Sequence, residues 1–86
     1  MIVGFSNEGW EDYVFWQKND KKILKRINDL IKDIKRNPYD KNGLGKPERL
    51  KANLSGYYSR RITSEHRLVY TIKEELLIIV QCRYHY

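Results

Sequence analysis

"YYSRRITSEHRLVYTIKEELLIIVQCRYHY", residues 57–86, decides the fold. In "YYSRRIT" (57–63) and "HRLVYTIK" (66–73) β-branched and aromatic residues alternate with polar ones, the period-two signature of strands. "TSE" (63–65) is short enough to be a tight connection between them. "LLIIVQCRYHY" (76–86) is a long β-branched run and reads as a central strand. Alternation then sorts the side chains. On the last strand Leu76, Ile78, Val80, Cys82 and Tyr84 share one face, and Leu77, Ile79, Gln81, Arg83 and His85 share the other, which turns polar toward its end. On the strand before it Leu68, Tyr70 and Ile72 oppose Arg67, Val69 and Thr71, and one strand earlier Tyr58, Arg60 and Ile62 oppose Tyr57, Ser59, Arg61 and Thr63. The apolar sets are expected to face a core, which leaves Arg61, Arg67, Arg83 and His85 on the opposite face. That grouping hangs on one parity. An odd connection from Thr63 to Glu65 pairs Arg61 with Arg67, whereas a two-residue turn sets Arg67 beside Ile62 and scatters the cluster.

Upstream, "IVGF" (2–5) reads as a short strand. Ser6 or Asn7 caps a first helix, with Glu8, Glu11 and Asp12 at its positive end and Trp10, Tyr13, Val14 and Gln17 on a shared face. Asp20 caps a second helix, in which Ile23, Ile27, Leu30, Ile31 and Ile34 recur at helical spacing. Asn37-Pro38 ends it, because the residue before proline avoids the helical region. "YDKNGLGKPERL" (39–50) is a loop, and "RLKANL" (49–54) reads as a short strand before a turn at Ser55-Gly56. The order β-α-α-β-β-β-β predicts an α+β fold, two N-terminal helices packed on an antiparallel sheet.

Eighty-six residues predict one domain, residues 1–86, with a thin core. Seventeen Lys and Arg against eleven Asp and Glu leave a net charge of +6, which favours an acidic partner such as nucleic acid, an anionic membrane face or an acidic protein, with plain solubility as the alternative. No apolar run approaches the roughly 18 residues that span a membrane. The N-terminal stretch lacks a signal peptide's basic start, and one cysteine allows no internal disulfide, so a cytoplasmic location is expected.

Several guanidiniums side by side repel one another, and an anion between them removes the penalty. A phosphodiester suits, since arginine forks grip phosphate oxygens two at a time. A solvated basic face is the alternative. Two histidines and one cysteine are too few for a structural zinc site, "GLGKP" is no phosphate loop, and no metal or cofactor is expected. Cys82 is expected in the core. Histidine is the side chain whose unperturbed pKa lies near neutrality, and His85 keeps arginine company; the alternative is an ordinary surface histidine, which is how His66 is read. Glu48 follows the rigid Pro47 amid basic residues that would hold it ionised; the alternative is an exposed loop glutamate.

"WEDYVFWQKNDKK" (10–22), "KRINDLIKDIKRNP" (25–38), "GKPERLKANLSGYYSRRITSEHRLVY" (45–70) and "CRYHY" (82–86) together resemble the YoeB-type toxins of the RelE/ParE superfamily over nearly the whole chain. "LSGYYSRRITSEHRLVY" and "RYHY" are the most specific parts. The resemblance implies a microbial-ribonuclease-like fold and a metal-independent mRNA interferase, an endoribonuclease that cuts mRNA in the ribosomal A site and so inhibits translation. By it Glu48 matches the general base, His85 the general acid, Arg67 the phosphate-stabilising arginine, Tyr86 the terminal tyrosine, and Lys51 and Arg61 supporting basic positions. It further implies a partly disordered, YefM-like antitoxin that blocks the site, repression of their shared operon by the toxin–antitoxin complex on operator DNA, and a toxin homodimer. Arg83 is expected beside them on the basic face. Tyr84 is expected to point into the core, which leaves Tyr86 to stack on a base, provided it leaves the strand. The alternative function is a toxin of the same superfamily that does not cleave, or a basic nucleic-acid-binding module.

Overall fold

Each helix begins where the sequence supplies a cap. Ser6 Oγ accepts the Gly9 N–H at 3.0 Å and donates to the Val80 carbonyl at 2.7 Å, so one hydroxyl both starts α1 (Asn7–Asn19) and ties it to the last strand. Asp20, extended at φ −157°, ends α1 through its N–H to the Trp16 carbonyl and starts α2 (Lys21–Arg36) by accepting the Lys22 and Ile23 N–H groups. Asn37 closes α2 ahead of Pro38. The structure, a computed structural model, describes residues 1–85.

Five strands form one sheet: β1 (Ile2–Phe5), β2 (Glu48–Arg49), β3 (Tyr58–Arg61), β4 (Arg67–Lys73) and β5 (Leu76–Gln81), in spatial order β1-β5-β4-β3-β2. The expected element order holds, and Ala52–Leu54 is a 3₁₀ turn rather than a continuation of β2. One pairing departs from the expectation of an antiparallel sheet. β1 lies parallel to β5, because the two helices carry the chain back across the sheet before β2 begins. β5 is therefore interior, as read, with β4 at the centre.

Ile27, Leu30 and Ile34 of α2 are buried against Leu68, Tyr70, Leu77, Ile79 and Cys82. Two expectations about facing, those for β5 and for Tyr84, are corrected. On β5 the core side chains are Leu77 and Ile79, while Leu76, Ile78 and Val80 are only partly buried. A bulge explains how Cys82 is nonetheless buried: Tyr70 pairs with Ile79 and Val69 with Gln81, so Val80 is an extra residue and the alternation inverts after it. On α1 the inward residues are Gly9 and Trp16; Trp10 is half exposed. Gly9 is required there, because a Cβ would run into the Ile79 carbonyl. Tyr84 is exposed rather than in the core, because the chain leaves the sheet after Gln81 and turns at Tyr84 with φ +64°.

Candidate active site

The β3–β4 connection sets the site's register. Thr63 Oγ1 accepts the N–H groups of Glu65 and His66, each at 3.1 Å, and the His66 carbonyl accepts those of Ile62 and Thr63. This closes the odd connection, and Arg61 pairs directly with Arg67, as the parity argument requires. Directly opposed residues share a face with Cβ atoms about 5 Å apart, so two guanidinium stems leave the same side of the sheet, away from the helices. Arg67 is half-buried, and its Nε, shielded from solvent, has no hydrogen-bond partner among the described residues. A shielded guanidinium donor left open is what an incoming anion oxygen satisfies.

Glu48 enters from β2. It pairs with Ser59, which sits two residues before Arg61 on β3, so Glu48 projects from the same face as Arg61 and Arg67. Glu48 also borders an open cavity of about 520 Å³ whose walls include Tyr39, Lys41, Arg49 and Tyr58. Lys51, exposed, precedes the 3₁₀ turn just past β2.

The loop leading to Glu48 is held by a pair the sequence did not signal. Arg60 is fully buried, and its Nη1 donates to Asp33 Oδ2 at 2.6 Å and to the Leu44 carbonyl at 3.1 Å, while its Nε donates to the Tyr70 hydroxyl. Asp33 also accepts the Leu44 N–H, and this bond, then Arg60, holds its carboxyl below the usual carboxylate value. Gly45, at φ +82°, lets the loop lie close on Leu30 and give its carbonyl to the Arg61 N–H.

The C-terminal segment is placed by side chains instead of by a ladder. Asp12 accepts the Cys82 N–H at 3.0 Å, and Trp16 Nε1 donates to the Cys82 carbonyl at 2.8 Å. His66 Nδ1 accepts the Tyr84 N–H at 2.7 Å, and the Arg67 N–H donates to the Tyr84 carbonyl at 3.0 Å. His85, exposed, follows this anchored residue at the β4 end that carries Arg67. Burial, partly offset by the Cys82 N–H, pushes the Asp12 carboxyl above its ordinary value, and burial pushes the Cys82 thiol up to about 12, which removes it as a nucleophile at neutral pH.

Two expected members of the basic face need comment. Arg83 is not beside Arg61 and Arg67: its guanidinium lies 3.6 Å from the centre of the Phe15 ring and 4.6 Å from that of Tyr84, packed toward α1. Alternation no longer governs a residue beyond the strand. Tyr86 lies outside the described residues. His66 is no ordinary surface histidine; it is buried, edge-on to Trp16 at 4.8 Å. Asp12 and Trp16, four apart and hence on one helix face, were the available sign that α1 reaches for the chain's end.

A family model, the YoeB-like toxin of bacterial type II toxin–antitoxin systems, matches residues 5–86. A toxin YoeB from Synechocystis is 63% identical over 86 residues, covering 100% of this chain and 98% of its own. The solved YoeB/ParE toxin from Agrobacterium tumefaciens superposes with a TM-score of 0.95 at 48% identity over 100% of both chains. YoeB in a heterotetrameric YoeB–YefM toxin–antitoxin complex from Staphylococcus aureus superposes at 0.91 and 53% identity, over 100% of this chain and 98% of that one, and so does a YoeB dimer from the same organism. Fold, full-length similarity and family match agree: the chain belongs to the YoeB-like toxins of bacterial type II toxin–antitoxin systems.

Proposed function

We propose that this toxin is an endoribonuclease that cleaves mRNA in the ribosomal A site through the RNA's own 2′-hydroxyl. Glu48 takes the 2′-hydroxyl proton as the oxygen attacks phosphorus. Arg67, with Arg61 and Lys51 behind it, stabilises the negative charge that builds on the phosphate oxygens. His85, as imidazolium, protonates the departing 5′-oxygen. The products are a 2′,3′-cyclic phosphate and a 5′-hydroxyl end, every role is filled by a side chain, and Tyr86 stacks on a neighbouring base. The observation that carries this reading is Arg67: a shielded guanidinium donor with no partner among the described residues, opposite Arg61 and on the face from which Glu48 projects.

The proposed partners are a YefM-like antitoxin that covers the basic face, operator DNA bound by the toxin–antitoxin complex, and a second copy of the toxin; the solved YoeB–YefM heterotetramer and YoeB dimer from Staphylococcus aureus support the antitoxin and the homodimer. The whole chain works as one domain in the bacterial cytoplasm; among the described residues no helix is long and apolar enough to cross a membrane.

The test maps mRNA 5′ ends on programmed ribosomes with wild type, Glu48→Gln and His85→Ala, and analyses the product ends chemically. Each variant should lose roughly 10²- to 10⁴-fold in the cleavage step. Variants that cleave like wild type would remove the assigned roles. A wild type that binds RNA and never yields a cyclic phosphate would point to a binding module instead.

A further inference from the structure

His66 has no part in the chemistry above, yet it is only 8% exposed and its ring spends a hydrogen bond on the chain's end. Its Nδ1 lies 2.7 Å from the Tyr84 nitrogen. A backbone amide can only donate, so Nδ1 carries a lone pair, and the proton of the neutral ring sits on Nε2. Nε2 faces Glu65 Oε1 at 3.8 Å. The next residue completes the grip: the Arg67 N–H donates to the Tyr84 carbonyl, so consecutive residues of one strand entrance hold the amide and the carbonyl of the same distant residue.

What they hold is a conformation that Tyr84 does not adopt by itself. At φ +64° it is left-handed, which crowds the Cβ of any residue but glycine. The segment has left the sheet, so no ladder enforces this turn, and the direction of His85 follows from it. The clamp itself is rigid. The His66 carbonyl is locked into the hairpin by Ile62 and Thr63, and the ring rests edge-on against Trp16, whose own Nε1 holds Cys82. An apolar side chain of similar size would fill this place more cheaply than a buried imidazole, so the acceptor at the δ position is the property that matters.

We infer that His66 is a positioning residue for His85: its Nδ1 fixes Tyr84 in the left-handed turn that aims the catalytic imidazole at the phosphate held by Arg67. This rests on the reading of His85 as the general acid. Two substitutions separate position from packing. His66→Leu keeps bulk and loses the acceptor; His66→Asn loses bulk and keeps an acceptor, Oδ1, where Nδ1 was.

On programmed ribosomes His66→Leu should lower the cleavage rate constant by roughly 10²-fold, the effect of an ångström of misplacement, with half-saturation unchanged, and His66→Asn should recover most of the rate. Nitrogen-15 NMR of the wild-type protein should show Nδ1 unprotonated and the Tyr84 amide protected from exchange, with that protection lost in His66→Leu and kept in His66→Asn. Leu and Asn variants equally impaired, a loss confined to half-saturation, or an unprotected Tyr84 amide in wild type would each overturn the inference. A His66→Leu variant that cleaves normally overturns it while leaving the catalytic reading intact. A wild type that cleaves nothing overturns that reading, and the role of His66 with it.

Discussion

Arg60 and Asp33 show how a single charge can be committed to architecture rather than to the site. The guanidinium is fully buried, and Asp33 keeps a quarter of its side chain exposed, so losing the carboxylate charge should cost roughly 2–3 kcal/mol, less than the 3–5 of a wholly buried pair. Asp33→Asn is the variant, and equilibrium urea unfolding the measurement. The pH dependence follows from the direction of the shift. The folded carboxyl sits below its free value of 3.8, so it adds stability above that pH and loses it as the pH falls through the lower, folded value. The gap between wild type and Asp33→Asn should be full at neutral pH and close progressively below 3.8. Asp12 works in the opposite direction: its raised carboxyl favours the fold while protonated, and that contribution fades as the pH rises through its folded value. Cys82 gives a second residue-scale outcome. Fully buried, with its thiol pushed up to about 12, it should resist iodoacetamide in the native protein and react once urea unfolds the chain.

At the scale of elements, the seat of α1 on β5 is the contact that brings Asp12 and Trp16 to Cys82. Gly9 permits it. Alanine in a helix interior is ordinarily favoured over glycine by about 1 kcal/mol, but here its Cβ meets the Ile79 carbonyl, a backbone atom that cannot swing aside. Gly9→Ala should therefore destabilise by about 1–3 kcal/mol, the usual range for overpacking, and a urea midpoint above wild type would show that α1 does not sit so close. The pairing of β3 with β4 was legible because the length of the connection fixes parity, and parity fixes which arginines meet. The face of β5 was not. "LLIIV" (76–80) is apolar at every position, so nothing in it marks Val80 as the bulged residue, and the core set came out inverted until Cys82. The inward face of α1 was not legible for a similar reason. Four aromatics crowd Trp10–Trp16, and a stripe can be drawn through them in more than one way; only the close approach at Gly9 chooses. His66 carried no signal at all, since its partner is a backbone amide 18 residues away.

Over the whole molecule the proposed site draws on three distant parts: the β3–β4 hairpin, the two-residue strand that bears Glu48, and the segment after β5. The chain's net charge of +6 favours phosphate or an acidic partner, so the proposed binding to RNA should weaken steeply with added salt. Among the described residues, Cys82 and Tyr84 are tied down through Asp12, Trp16, His66 and the Arg67 backbone, and Arg83 packs on Phe15. A cut between Tyr84 and His85 tests whether stability and catalysis are separable. Removing residues 85–86 takes away the proposed general acid and the stacking tyrosine while leaving each of those ties in place. The shortened protein should melt cooperatively near the wild-type temperature and lose roughly 10²- to 10⁴-fold in cleavage on programmed ribosomes. Removing residues 82–86 should behave quite differently. It empties the core position of Cys82, leaves the Trp16 indole N–H without its acceptor, and releases the carboxylate of Asp12 and the ring of His66 from their backbone partners. A cavity and an orphaned buried donor each cost on the order of 1–3 kcal/mol, which a domain of this size, with only about 5–10 kcal/mol in hand, absorbs poorly. Thermal melts of the two truncations side by side decide the matter. If the shorter cut already unfolds the protein, His85 and Tyr86 are part of the scaffold; if it folds and still cleaves at the wild-type rate, the proposed acid lies elsewhere.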